Sequence, residues 1–372
     1  MNGTASGAVT NAIVERFDEG TVSGWVEQAA RDAGNPVRVG LFVGESEVAT
    51  AWAVEVVDAS QRRGGGPVRV FRFALRDLWS FLVTSDRISV RIEGRTVPIA
   101  GEGTYVTPGS DGPESLENLR ALLADGYIFS PDGRLQLSKT VDAAWQRAVL
   151  DLYARVAAAV RDLRGYDTFV IYGTLLGAVR DGGFIGHDRE FDCAYLSAAT
   201  DGAAAARELQ EIAFGLIDRG FRVHASDSAL HIADTSASSA RISLFHLFVD
   251  SDGDLQFPFG VTGTTTVTAD TWTGTAELGL GDAQVQAPSA AESVLEQIYG
   301  GDWRTPDPGF TWNRDRTHRA ATAVLPDAAI EEVYWADFYA HTTYDRGSTF
   351  FEMVSARSDM PATVIDIGCG DG

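Results

Sequence analysis

Lysine and cysteine are nearly absent from this chain. Lys139 is the single lysine among 30 basic residues, so every other fixed positive charge is an arginine. Cys193 and Cys369 are the only cysteines in 372 residues and lie in separate regions. They offer no disulfide framework, and a reducing compartment is the default expectation. Long hydrophobic runs are missing too: none approaches the roughly 18 residues of a membrane span. The N-terminal stretch also lacks a basic-then-apolar leader. A cytoplasmic protein is expected, with peripheral association at the inner face of the cell membrane left open. Positive charge is scarce overall, with a net charge of −22 and an isoelectric point near 4.6. Such a field argues against a nucleic-acid partner or a general anionic-membrane surface, both of which demand basic patches. An anionic substrate must therefore be met by local arginines or by metal ions.

What is present is ordinary globular material. Hydrophobic residues make up 45% of the chain, and the mean hydropathy is −0.05. The length suits about two or three domains, and a folded, soluble, multidomain protein is expected. Residues 11–100 read as short strands between turns: Ile13–Phe17, Gly24–Glu27, Val37–Val43, Val48–Val57, Val68–Ala74, Ile88–Ile92 and Thr96–Ala100. Their alternation and spacing favour an all-β sandwich over 1–100. Gly101–Gly112 is rich in Gly, Ser, Thr and Pro and reads as a linker. Val141, Trp145, Val149, Leu152, Val156, Val160 and Leu163 then form one apolar stripe at helical spacing. From Tyr166 the pattern turns α/β. Ser289 with Glu292 predicts a capping box for a helix running to Tyr299.

The most informative segment is Tyr172–Asp192, YGTLLGAVRDGGFIGHDREFD. Asp188, Glu190 and Asp192 alternate on a strand predicted to run from about Arg189 to Leu196. On a strand, alternate side chains share one face, about 6.6 Å apart. Three carboxylates so placed suit a hard divalent cation such as Mg²⁺. An exposed acidic strand is the plainer reading of the same string. The Gly173-Thr174 turn would seat a phosphate through backbone N–H and hydroxyl, or serve as a simple tight turn. Arg180 is either a phosphate clamp or a helix-end cation. His187, His231 and His246 are candidate general bases, with structural roles as the alternative for each. Tyr299 and Trp303 could stack on a base or sugar, or pack in a core.

GTLLGAVRDGGFIGHDREFD resembles the LicD-type family, the phosphocholine-transferase relatives that include the fukutin-related proteins. Leu295–Gly300 with Asp302-Trp303 and Thr305-Pro306 is similar to that family's closing element, so the likeness spans roughly residues 150 to 315. The resemblance implies a nucleotidyltransferase-like α/β (α+β) domain in which Asp188, Glu190 and Asp192 bind Mg²⁺ or Mn²⁺. The residue chemistry adds His187 to the candidate catalytic set, with Gly173, Thr174 and Arg180 steadying the donor. Glu190 stands where the family usually has Asp. Ser243 stands where it often has a further Asp on the following core strand, with Asp250 as a substitute or a turn cap.

Val364–Gly372 is a strand running into a glycine-rich turn. It resembles motif I of Rossmann-like S-adenosylmethionine-dependent methyltransferases, supported by the aromatic run Tyr334–Tyr339. The resemblance implies cofactor contacts at Asp366, Gly368 and Gly370. A truncated methyltransferase start over 327–372 is expected, and hence a fragment of a longer transferase–methyltransferase. S-adenosylmethionine would serve only that longer parent.

The leading expectation is a helical lead-in and LicD-like domain over 113–320. It would move phosphocholine, a polyol phosphate or a sugar phosphate from a nucleotide-diphosphate donor to a cell-surface glycan. The sandwich would grip the glycan acceptor or act as a spacer. Rivals are a nucleotidyltransferase, a catalytically silent glycan-binding module, and methylation as the parent's main activity.

Overall fold

Among the described residues, eight strands and one apolar core make up the N-terminal part. The computed structural model describes residues 9–28, 36–57, 68–235, 240–306 and 323–342. The strands are β1 (Val9–Phe17), β2 (Thr21–Gln28), β3 (Val37–Val43), β4 (Ser46–Ala53), β5 (Glu55–Val57), β6 (Val68–Ala74), β7 (Ile88–Ile92) and β8 (Arg95–Thr96). They form two four-stranded antiparallel sheets, ordered β1-β2-β6-β5 and β4-β3-β7-β8. Both sheets contribute to one core through Val22, Val26, Phe71 and Phe73 from the first and Val39, Leu41, Ile88 and Val90 from the second. The expected Val48–Val57 strand is split at Val54, where the chain leaves one sheet for the other.

Residues 101–112, read as a linker, are fastened to this body. Val106 exchanges backbone hydrogen bonds with Ile88, and Gly112 donates to the Leu82 carbonyl at 2.7 Å. Helix α1 (Leu116–Ala124) follows, with Ser115 accepting the Asn118 N–H at its start. Its apolar face lies on the sandwich: Leu119 is wholly buried there and Leu116, Leu122 and Leu123 pack around it. The hairpin β9 (Tyr127–Phe129) and β10 (Leu135–Leu137) docks on the same body, where Asp77 accepts the Leu135 N–H at 2.9 Å.

Helix α2 (Ala143–Arg164) opens the second part. Asp142 caps it by accepting the Trp145 N–H at 3.0 Å, and Gly165, in the left-handed region, ends it. Trp145, Val149, Leu152, Val156 and Val160 are buried as the stripe requires, whereas Val141 precedes the helix and is exposed. The remaining elements are β11 (Thr168–Val170), α3 (Tyr172–Leu176), β12 (Phe191–Leu196), α4 (Gly202–Ile217), β13 (Arg222–Ala225), β14 (Ala229–Ala233), β15 (Arg241–Val249), β16 (Leu255–Gln256), β17 (Thr275–Leu280), β18 (Ala283–Pro288), α5 (Ala291–Tyr299) and α6 (Asp327–His341). The central sheet runs β11-β12-β15-β14-β13, with β16 added on β15. Only the β12–β15 pair in it is parallel, and that pair aligns Asp192 with Ser243. The whole is a multidomain α+β protein.

One expectation changes here. The Ser289–Glu292 capping box does not form: α5 starts at Ala291 without a side-chain cap, and Glu292 pairs with Arg304 at 2.6 Å. The aromatic run Tyr334–Tyr339 lies in α6, which docks on α4 and β13. Its buried Asp337 accepts from Val223 N–H at 2.7 Å and Arg222 Nε at 3.0 Å. Asp366, Gly368 and Gly370 lie outside the described residues, and nothing supports a methyltransferase domain. Among the described residues, no helix is long and apolar enough to cross a membrane.

Candidate active site

The site is built on the sharp turn from β11 into α3. Ile171 is extended, and Tyr172 then adopts φ +44°, in the left-handed region that a bulky residue enters only at a cost of about 1–3 kcal/mol. Burial fixes it there. Its hydroxyl donates to the Gly260 carbonyl at 3.2 Å, and its ring packs on Phe245, Phe257 and Phe259. The turn aims the first groups of α3 at β12. Gly173 N–H donates to Asp192 Oδ2 at 3.0 Å, and the Thr174 hydroxyl accepts the Asp192 N–H at 2.8 Å.

Asp188 comes to the same point from another direction. Residues 185–188 form a turn in which Asp188 Oδ2 accepts the Ile185 N–H at 3.3 Å. A Cβ on Gly173 would stand 3.1 Å from Asp192 Oδ2 and 3.7 Å from Asp188 Oδ1. Both carboxylates thus converge on the bare glycine backbone. Dense surrounding protein pushes Asp188 up to about 7, partly offset by the Ile185 N–H and Arg180. It pushes Asp192 well above the carboxylate range, and the neighbouring Asp188 adds to the rise. Two crowded acids that resist sharing negative charge fit a cation between them.

Glu190 turns elsewhere. The three acids do not alternate along one strand, because β12 begins only at Phe191. The Glu190 carboxylate accepts a short hydrogen bond from the Ser243 hydroxyl and lies 3.4 Å from His231 Nδ1 and 3.7 Å from Arg241. His231 first, then Ser243 and Arg241, hold it down to about 2 against the opposing effect of burial. Among the described residues, no three or more His, Cys, Asp or Glu side chains are gathered as a preformed metal cage.

Residues 165–289 match the family model described as LicD/FKTN/FKRP, nucleotidyltransferase domain. The chain carries a LicD family domain. That family implies a transferase. Among solved structures, the lincosamide antibiotic adenylyltransferase LnuA with lincomycin bound is similar at 16% identity and a TM-score of 0.24, covering 42% of this chain and 85% of that one. No curated protein matches the chain.

The acid pair of the LicD domain opens into a cleft of about 1400 Å³. Gly173, Arg180, His187, Glu190 and His231 line it, as do Tyr299, Asp302, Trp303, Thr305 and Pro306 beyond the matched span. Arg180 sits in a π-turn over Gly177–Asp181 and pairs with Asp181 at 2.8 Å while facing the cleft. His187 is held below its usual value by surrounding protein and by the charges of Arg180 and Arg189.

Several expected roles move. In this structure the Gly173 N–H donates to Asp192 and the Thr174 hydroxyl accepts from the Asp192 N–H, so both groups of the turn meet that acid. His246 is fully buried, with Nε2 against the Ala323 carbonyl at 2.8 Å, and stands outside the cleft. Asp250 caps its own turn by accepting the N–H groups of Asp252 and Asp254. Trp303 is largely buried, with Arg304 over its ring. The sequence reading missed the part of the lining that comes from β4 and β6 of the sandwich. No motif marks it.

Proposed function

We propose that the LicD domain is a metal-dependent transferase. It moves a phospho-linked group such as phosphocholine, a polyol phosphate or a sugar phosphate from a nucleotide-diphosphate donor to a hydroxyl of a cell-surface glycan. The convergence of Asp188 and Asp192 on the Gly173 backbone, in the lining of a large cleft, carries this reading. These two carboxylates would hold Mg²⁺ or Mn²⁺, with Glu190 lining the same cleft. A bound divalent ion would supply Lewis-acid stabilisation of the phosphoryl oxygens.

The chain's own groups do the rest. Arg180, facing the cleft, offsets phosphate charge in an otherwise acidic protein. His187, depressed below its usual range, is neutral near pH 7 and able to accept the proton of an attacking hydroxyl at a ring nitrogen. Tyr172 and its aromatic neighbours fix the turn whose Gly173 and Thr174 hold Asp192, so that this carboxylate is placed before the donor arrives.

Incubating the protein with a panel of nucleotide-linked donors and oligosaccharides, with and without Mg²⁺ or Mn²⁺, tests this by product mass. A metal-dependent gain of the phospho-linked group is expected. A gain of a nucleotide monophosphate would indicate nucleotidyl transfer. Absence of turnover with every donor would leave a silent binding module.

A further inference from the structure

The cleft is larger than one donor requires. Small-ligand pockets span roughly 300–1,000 Å³, whereas this one encloses about 1400 Å³ and is closed on one side by the sandwich. Glu47, Thr50, Trp52 and Val54 of the β4 region, with Arg69 of β6, form that wall of the cleft the acids also line.

The wall is organised before any ligand arrives. Arg38 on β3 donates to Glu47 at 2.6 Å and to the Thr50 hydroxyl at 3.1 Å, and Thr50 donates to Glu47 at 2.9 Å. Gly40 makes room for this: a Cβ there would stand 2.9 Å from Glu47 Oε1. Trp52 is directly opposite Arg38 in the β3–β4 register, so the polar cluster and the indole share one strand pair. β4 is also an edge strand of its sheet.

A partly exposed indole beside a fixed set of hydroxyl, carboxylate and guanidinium groups matches the chemistry of a sugar ring. The ring's C–H face packs on the aromatic plane, and its hydroxyls both donate and accept. Glu47 is balanced by its pairing with Arg38, and the net charge of −22 disfavours a polyanion over the protein as a whole.

We propose that the outer face of β4, centred on Trp52 and the Arg38–Glu47–Thr50 cluster, is an acceptor subsite for a neutral oligosaccharide, which it presents to the acid pair in the same cleft. The proposal rests on the transferase reading for its purpose, but not for its binding chemistry.

The test is binding of the full chain to an array of neutral and acidic oligosaccharides of four to eight residues, without donor or metal. Wild type is expected to bind neutral members. Trp52→Ala should weaken that binding at least tenfold, Trp52→Phe should recover part of it, and Asp192→Asn should bind as wild type does. Thr50→Val, isosteric and β-branched at an exposed strand position, should weaken binding severalfold without unfolding the sandwich. Binding that is unchanged in both Trp52→Ala and Thr50→Val, binding of acidic members only, or no array binding by wild type would overturn the subsite. Binding that follows Trp52 in a protein turning over no donor would sink the transferase reading and leave the subsite standing.

Discussion

Gly173 and Asp192 are joined by a 3.0 Å hydrogen bond from backbone N–H to carboxylate, and a Cβ on Gly173 would crowd that same carboxylate at 3.1 Å. Gly173→Ala separates this role from stability. The residue lies in the first turn of α3 and has no positive φ, so alanine meets no left-handed backbone there. A methyl group 3.1 Å from Asp192 Oδ2 crowds the space between the acids. The thermal midpoint should hold or rise while Mn²⁺ affinity falls at least tenfold. Unchanged Mn²⁺ affinity by calorimetry would contradict the role given to this glycine.

The acid pair sets a pH dependence whose sign is determined. Asp188 is raised from 3.8 to about 7, so its contribution supports the fold below its unfolded value and is lost as pH climbs through about 7. Asp192 shifts in the same direction. Glu190, lowered from 4.5 to about 2, loses its support only as pH falls through that acid range. Metal-free protein should therefore show a thermal midpoint that declines between about pH 5 and pH 8, and saturating Mg²⁺ should flatten the decline. A midpoint that climbs over this interval, measured calorimetrically without metal, is the contrary result.

Glu190 is expected to answer to His231 before Ser243. His231 is the largest influence on its low value, with the Ser243 hydroxyl lesser. His231→Ala should raise the Glu190 titration further than Ser243→Ala does, as followed by carboxyl carbon NMR shifts. The reverse order would show that the hydroxyl dominates.

Helix α1 belongs energetically to the sandwich. Leu119 is fully buried in that core, and Leu119→Ala should cost roughly 2–5 kcal/mol. Hydrogen exchange should quicken in β3 and β7 while β12 and β15 keep their protection. Loss of protection confined to β12 and β15 would place α1 with the LicD domain instead.

Much of this was legible in the sequence. Val37–Val43, Val68–Ala74 and Ile88–Ile92 match their strands to the residue because alternation follows directly from a half-buried sheet. The α2 stripe and the Gly173–Asp192 neighbourhood follow equally local patterns. What stayed hidden depends on distant partners. Asp188 and Glu190 fall outside β12 because the loop before it is held by other segments: Lys139 N–H donates to the Gly186 carbonyl at 2.8 Å, and Arg189 pairs with Asp132 at 2.5 Å. Glu190 turns to Ser243 and His231, residues more than forty positions away. The β4 wall carries no motif, since Trp52 and Thr50 read as ordinary strand residues until the fold brings them into the same cleft as the acids.

Divalent-ion binding to the acid pair is the decisive measurement. Calorimetric titration of Mg²⁺ and Mn²⁺ into wild type, Asp188→Asn and Asp192→Asn at about pH 8 keeps both carboxyl positions isosteric while removing their charge. Wild type should bind, each variant should lose at least tenfold in affinity, and each should melt higher than wild type when metal is withheld. Wild-type affinity retained in both variants would contradict a metal centre at Asp188 and Asp192.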